Sequence, residues 1–90
     1  MKEVNVEVIG VDSPCMRCQS ARKAVEKAAE RLRAEGINVK IEKANIMSKE
    51  VIGKYGVLVS PAIAINGTVK IMGRVPSPEE VERLIRESAK

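Results

Sequence analysis

Two cysteines are the residues of this 90-residue chain whose type and spacing most directly predict chemistry. Cys15 and Cys18 are separated by two residues, and the chain contains no other cysteine and no histidine. Residues three apart on a helix share a face, so two sulfurs at this spacing can form a disulfide. The pair is therefore a candidate for thiol–disulfide exchange or for metal binding.

The cysteine pair lies between a predicted strand and a predicted helix. Apolar residues alternate with polar ones over residues 4–9, as in a strand. The helical spacing of apolar residues after the pair predicts a helix from about Pro14 to Glu35, packed on a core through positions 21, 24, 25, 28, 29 and 32. Ser13 suits the N-cap and Pro14 the first helical position. Both cysteines are therefore expected in the first turn, where free N–H groups and the helix dipole stabilise a thiolate.

This placement predicts different roles for the two sulfurs. Cys15 is nearer the helix start, and we expect it to be the attacking thiolate. Cys18 lies one turn further in, and we expect it to be more buried and to act as the resolving sulfur. Pro14 and Arg17 are expected to modulate the pair, Arg17 through its positive charge. Met16 is either an apolar contact for the substrate or merely an exposed side chain.

The segment after the first helix predicts a second strand and a short helix. Gly36 follows the first helix and is expected to end it. Residues 37–42 alternate as a strand, which the right-handed crossover rule makes parallel to the first. Ser48 can cap a short helix that runs through Tyr55 and ends at Gly56.

The last third of the chain predicts a hairpin and a final helix. A third strand begins at Ser60, and the turn signal Asn66-Gly67 leads into an antiparallel fourth strand over residues 68–72. The final helix begins with a capping box made of Ser77 and Glu80, and Pro78 takes the first helical position. The element order β-α-β-α-β-β-α predicts an α/β fold, a single domain over residues 1–90, with helices on both faces of one mixed sheet.

Composition and charge exclude several classes of function. The net charge is +4, but basic and acidic residues are mixed, with helical pairs four apart such as Arg22–Glu26 and Arg31–Glu35. The chain has one aromatic residue, so it lacks a surface on which bases could stack, and we expect no nucleic-acid partner. No apolar run approaches the roughly 20 residues of a membrane span, and no signal peptide is visible. The predicted location is cytoplasmic, where a Cys-x-x-Cys pair is typically redox-active or metal-binding.

With Cys15 and Cys18 between the first strand and helix, and Ser60-Pro61 opening the later hairpin, the chain resembles the thioredoxin fold over nearly its whole length. It looks most like the small archaeal and bacterial thioredoxin- or glutaredoxin-like redox-active disulfide proteins. The resemblance implies a four-stranded sheet with three helices and thiol–disulfide exchange as the activity. It also implies that Pro61 is cis and faces the disulfide, and that the backbone of Ser60 pairs with the substrate chain.

The same resemblance implies how the site works with its partners. Met16 and Gly73 are expected at the rim of the groove formed by Ser60 and Pro61. Cys15 and Cys18 would form the redox-active disulfide, with no other cofactor and no metal. The expected partners are protein disulfides and a thioredoxin-reductase-like or other thiol donor, and the protein is expected to be a monomer.

The chain departs from the thioredoxin pattern at several positions. Thioredoxins carry an aromatic residue where this chain has Pro14, and Gly-Pro where it has Met16-Arg17. A buried acid on the strand, which accepts a proton from the resolving thiol in thioredoxins, is replaced by Ile9. Glu7, one pleat away on the same strand face, and Asp12 in the loop are the candidate substitutes, and the alternative for each is a plain surface charge. The Gly-Gly-acid sequence that binds glutathione in glutaredoxins is replaced after Gly73, so glutathione dependence does not follow.

Two other hypotheses remain open from the sequence alone. Two thiolates are half of a four-ligand metal site, which a dimer could complete, and an iron–sulfur cluster could be shared in the same way. Copper chaperones also place Cys-x-x-Cys after a first strand, but they have methionine at the position of Ser13 and end in a strand. The third hypothesis is a catalytically silent interaction domain of the same fold.

Overall fold

A computed structural model of the chain describes residues 2–10 and 16–89. Its elements follow the predicted order and have the bounds β1 Lys2–Gly10, α1 Met16–Ala34, β2 Ile37–Asn45, α2 Lys49–Tyr55, β3 Ala62–Ile65, β4 Thr68–Met72 and α3 Pro78–Ser88. None of the helices in these described ranges is both long and apolar enough to cross a bilayer.

The four strands form one mixed sheet in the order β2-β1-β3-β4. β1 pairs parallel with β2 and antiparallel with β3, and β3 pairs antiparallel with β4. The pairing of β1 with β3 places Ile9 opposite Ala62. The carboxyl end of β1, which leads into the cysteine pair, therefore lies beside the start of β3. The predicted mixed sheet is confirmed.

Helices cover both faces of the sheet, as predicted. On one face, α1 and α3 pack on the even-numbered side chains of β1, and the buried core includes Val6, Val25, Leu32, Ile63 and Ile85. The buried positions of α1 include four alanines, whose small side chains permit close approach to the sheet. On the other face, α2 packs through Val51 on the odd-numbered side of β1 and on alternate residues of β3.

The predicted turns and helix caps are formed, with one exception. Gly36 has φ +90° after α1, and Asn66 and Gly67 have φ +50° and +83° in the hairpin turn. The Ser77 hydroxyl accepts the N–H of Glu80 at 3.2 Å, which is half of the predicted capping box. The carboxylate of Glu80 is instead engaged through both oxygens by the Arg74 guanidinium. This charge-assisted bidentate pair is stronger than a single bond to a backbone N–H.

Two strand boundaries differ from the prediction. β2 extends to Asn45 rather than residue 42, because its backbone stays paired with β1 along its whole length although its outward side chains are polar. β3 begins at Ala62 rather than Ser60, because Pro61 has no N–H to donate to a sheet ladder.

Candidate active site

Cys18 lies in the first turn of α1 and is half-buried. Its sulfur packs against the end of β1, where a Cβ built on Gly10 would lie 2.9 Å from Sγ and 3.3 Å from the Cβ of Cys18. Gly10 does not have the positive φ that would itself require glycine. The missing side chain therefore serves to leave room for the sulfur. Gly10 was not among the predicted site residues, and its one signal in the sequence is a glycine at the end of a strand just before the cysteine pair.

Four residues of the predicted site region fall outside the described residues. They are Asp12, Ser13, Pro14 and Cys15. The substitute role of Asp12, the N-cap role of Ser13, the modulating role of Pro14 and the attacking role of Cys15 therefore stay predictions. Met16, the first residue of α1, has a side chain that is 77% exposed.

The loop before β3 carries the other half of the predicted site. The peptide bond between Ser60 and Pro61 is cis, as the resemblance implied. Pro61 is buried and Ser60 half-buried. The N–H of Gly73, just after β4, donates to the carbonyl oxygens of Pro61 at 2.9 Å and Val59 at 3.1 Å. Gly73 therefore ties together the two residues that flank Ser60.

Gly73 is required by its conformation and by its surroundings. Its φ is +78°, and a Cβ at this position would lie 3.2 Å from Cγ1 of Val59. The register shift of the hairpin falls between Ile63 and Ala64, so it does not account for this glycine. The positive φ lets the Gly73 N–H reach the loop, a role that most other residues could adopt only with strain.

Arg17 joins the cysteine segment to this loop. Its Nη2 donates to the carbonyl oxygen of Gly73 at 2.7 Å, across 56 positions of sequence. Arg17 was predicted to act on the cysteines through its charge, and the structure gives its side chain a specific backbone partner. Arg17, Gly73 and Pro61 are thus linked by consecutive hydrogen bonds.

Exposed apolar side chains accompany these polar contacts. Val59, which is 61% exposed, precedes Ser60 and contacts the position of Gly73, while Met72 precedes Gly73 and is also exposed. Only Met16 among the exposed apolar residues was predicted as part of the site. Val59 and Met72 were not part of the predicted site. Val59 belongs to the loop before β3 and Met72 ends an edge strand, where an exposed apolar side chain gives no distinct sequence signal.

The position of the buried acid in thioredoxins is apolar here. Ile9 is fully buried in the cluster with Ile46, Val51 and Ala62. Glu7, one of the two candidate substitutes, has a side chain that is 21% exposed, and its Oε1 accepts bonds from Tyr55 Oη at 2.6 Å and Lys54 Nζ at 3.1 Å. These contacts tie β1 to α2.

The environment of Glu7 favours its charged form. Burial raises the pKa of Glu7, but the hydrogen bonds from Tyr55 and Lys54 and the charge of Lys54 outweigh burial, so the pKa lies below its ordinary value of 4.5. Burial, followed by the hydrogen bond to Glu7, raises the pKa of the Tyr55 hydroxyl. Glu7 is therefore an ionised anchor for α2 at neutral pH.

Replacing Tyr55 with phenylalanine is expected to lower the free energy of unfolding at pH 7 by about 1 kcal/mol, because a hydrogen bond to a charged group is lost. A carboxyl pKa that folding lowers stabilises the protein above its unfolded value of 4.5, and this stabilisation is lost as pH falls through the folded pKa. The difference between wild type and Tyr55→Phe should therefore shrink below about pH 4.5. Urea unfolding of both proteins at a series of pH values measures this difference in the free energy of unfolding. In a Glu7→Gln background the pH dependence of this difference should vanish, and its persistence there would contradict the assignment.

Comparison with known proteins agrees with the fold. Residues 4–86 match the family model of the thioredoxin domain named Thioredoxin_3. A thioredoxin of Methanothermobacter thermautotrophicus is 35% identical over 79% of this chain and 86% of that protein. A probable thioredoxin of the same organism is 36% identical over 93% of this chain and 94% of that protein.

Two solved structures have the same fold as this chain. The oxidised thioredoxin of Plasmodium falciparum superposes with a TM-score of 0.66 at 15% identity, over 99% of this chain and 84% of that one, which shows the shared fold. The reduced protein MJ0307 superposes with a TM-score of 0.53 at 28% identity, over 97% of this chain and 98% of that one. From the family match over most of its length and its archaeal relatives, the chain belongs to the thioredoxin family of thiol–disulfide oxidoreductases.

Proposed function

We propose that this protein reduces protein disulfides through a dithiol made of Cys15 and Cys18. The observation that carries the proposal is the position of Cys18. It lies in the first turn of α1, against the carboxyl end of β1, with its sulfur packed over Gly10. Cys15 precedes this helix directly in sequence. A sulfur at a helix start is stabilised as the thiolate, which is the nucleophile of disulfide exchange.

The reaction proceeds in two exchanges. The Cys15 thiolate attacks one sulfur of the substrate disulfide, a mixed disulfide forms, and the other substrate sulfur leaves as a thiolate that takes up a proton. Cys18 then loses its proton and attacks the Cys15 sulfur, which releases the second substrate thiol. The substrate has gained two electrons and two protons, and Cys15 and Cys18 are left as a disulfide. A thioredoxin-reductase-like enzyme or another thiol donor restores the dithiol.

The loop around Pro61 supplies the docking groove in this proposal. The backbone of Ser60 pairs with the substrate chain beside the cysteines, and Met16 and Gly73 lie at the rim. Support comes from the exposure of Met16 and from the hydrogen bonds that hold Gly73 to the Pro61 loop and to Arg17. We also propose that the protein acts as a monomer in the cytoplasm and needs no further cofactor.

The test is turnover of a protein disulfide. We expect catalytic amounts of the protein, with dithiothreitol as the electron donor, to accelerate reduction of the interchain disulfides of insulin, followed by turbidity. The control is the same protein after alkylation of both thiols with iodoacetamide, which should be inactive. Purified protein that contains stoichiometric metal and shows no turnover would overturn the proposal in favour of metal carriage. Within residues 2–10 and 16–89, no three histidine, cysteine or acidic side chains are grouped to hold a metal ion.

A further inference from the structure

We infer that Arg17 is a positioning residue that sets the docking loop in register with the cysteines. The inference rests on the proposed function and adds a part to it. Arg17 lies between the two cysteines in sequence, and its guanidinium donates to the Gly73 carbonyl oxygen at 2.7 Å. This bond joins the start of the helix that contains Cys18 directly to the segment that follows β4.

Gly73 transmits this contact to the docking loop through its N–H and its carbonyl oxygen. The N–H of Gly73 donates to the carbonyl oxygens of Val59 and Pro61, on either side of Ser60. The carbonyl oxygen of Gly73 accepts from the Arg17 guanidinium, so Gly73 connects Arg17 to both residues that flank Ser60. The orientation of the Ser60 backbone, which the proposed function uses to pair with substrate, then depends on the Arg17 side chain.

Local packing keeps this connection short. Gly73 has φ +78°, and Val59 lies beside it. The N–H that bonds to the loop and the carbonyl oxygen that accepts from Arg17 are separated only by the Cα and carbonyl carbon of this one residue. Arginine suits the position because its planar group has several donors in fixed directions and stays charged at all physiological pH values. The long side chain reaches the carbonyl while Met16 beside it remains exposed.

A positioning role and a charge effect would influence different sets of substrates. A positive charge that only stabilised a thiolate would accelerate attack on every disulfide, large or small. Alignment of the docking loop matters only for a substrate whose backbone lies along Ser60. Small disulfides such as 5,5′-dithiobis(2-nitrobenzoic acid) need no such pairing.

The experiment compares Arg17→Met with Arg22→Met. Arg22 lies on the same helix in an exposed pair with Glu26 at 3.8 Å, so Arg22→Met removes the same charge without touching the loop. For Arg17→Met we expect KM for insulin to rise about five- to tenfold, since a hydrogen bond to a charged group is lost. Its kcat and its rate with the small disulfide should change less than about twofold. Arg22→Met should match wild type with both substrates.

Amide hydrogen exchange of Gly73 gives a second readout that does not depend on activity. Exchange should be faster in Arg17→Met than in Arg22→Met. A KM rise confined to insulin, together with faster Gly73 exchange, supports the inference. Equal losses with both substrates would assign Arg17 a charge effect instead, and unchanged KM or unchanged exchange would overturn the inference. Failure of wild type with both substrates would remove the proposed function, while the exchange measurement would still decide whether Arg17 holds the loop.

Discussion

Cys18→Ser is expected to convert the protein from a catalyst into a covalent trap for its substrates. Cys15 can still attack a disulfide, but no internal thiol remains to release the mixed disulfide. Well-oriented intramolecular reactions have effective molarities of about 10⁵ M or more, so an external thiol at millimolar concentration cannot replace Cys18. Turnover of insulin should fall at least about a hundredfold. Non-reducing electrophoresis and mass spectrometry of complexes captured from a cell extract measure the trapping.

Cys15→Ser is the matched control, since it also removes one sulfur. It should lose turnover to the same extent but trap nothing, because the attacking thiolate is gone. Trapping by Cys15→Ser and not by Cys18→Ser would reverse the assigned roles. Full dithiol-dependent activity in Cys18→Ser would remove the two-cysteine mechanism altogether.

Gly10→Ala is expected to destabilise the protein by about 1–3 kcal/mol, the usual cost of inserting a methyl group into a packed site. The added Cβ would meet the Cys18 sulfur at 2.9 Å. Either the first turn of α1 or the end of β1 must shift, and the sulfur moves with it. Release of the mixed disulfide should therefore slow as well. Urea unfolding under reducing conditions and insulin turnover measure the two effects.

Two further variants isolate the contact between Gly10 and Cys18. In a Cys18→Ala background the cost of Gly10→Ala should fall, because the nearest atom is removed, and the double-mutant cycle gives the coupling. Gly53→Ala is the matched control, since a Cβ there meets nothing within 4 Å and Gly53 lies inside α2. It should stabilise the protein by about 0.5–1 kcal/mol. A Gly10→Ala protein as stable as wild type would show that the sulfur does not press on β1.

The fold could be predicted from the sequence because its signals are local and agree with one another. Helical spacing defined α1, Ser48 and Ser77 start α2 and α3, and Asn66-Gly67 forms the turn of the hairpin. The crossover rule then sets β1 and β2 parallel. The cap and turn signals depend on residues a few positions apart, where backbone geometry alone decides which groups meet. The crossover rule links more distant strands, but it needs only the order strand, helix, strand.

The contacts of the site could not be predicted, because they join segments far apart in sequence. Arg17 to Gly73 spans 56 positions, and no pattern within either segment names the other. The surface charges show the same limit. Arg31 was expected to pair with Glu35 four residues on, but it binds Glu82 of α3 at 3.0 Å. Cross-helix partners outcompete neighbours on one helix when packing brings them closer.

The register of β1 against β3 makes catalysis a consequence of completed folding. Ile9 faces Ala62, so the segments on either side of that pair, which carry the thiols and the docking loop, become neighbours only after strands from the two halves of the chain have joined. In the proposed function, the thiols and the docking loop act together only when both segments are in place. A partly synthesised chain is therefore expected to react with disulfides only as a free cysteine would.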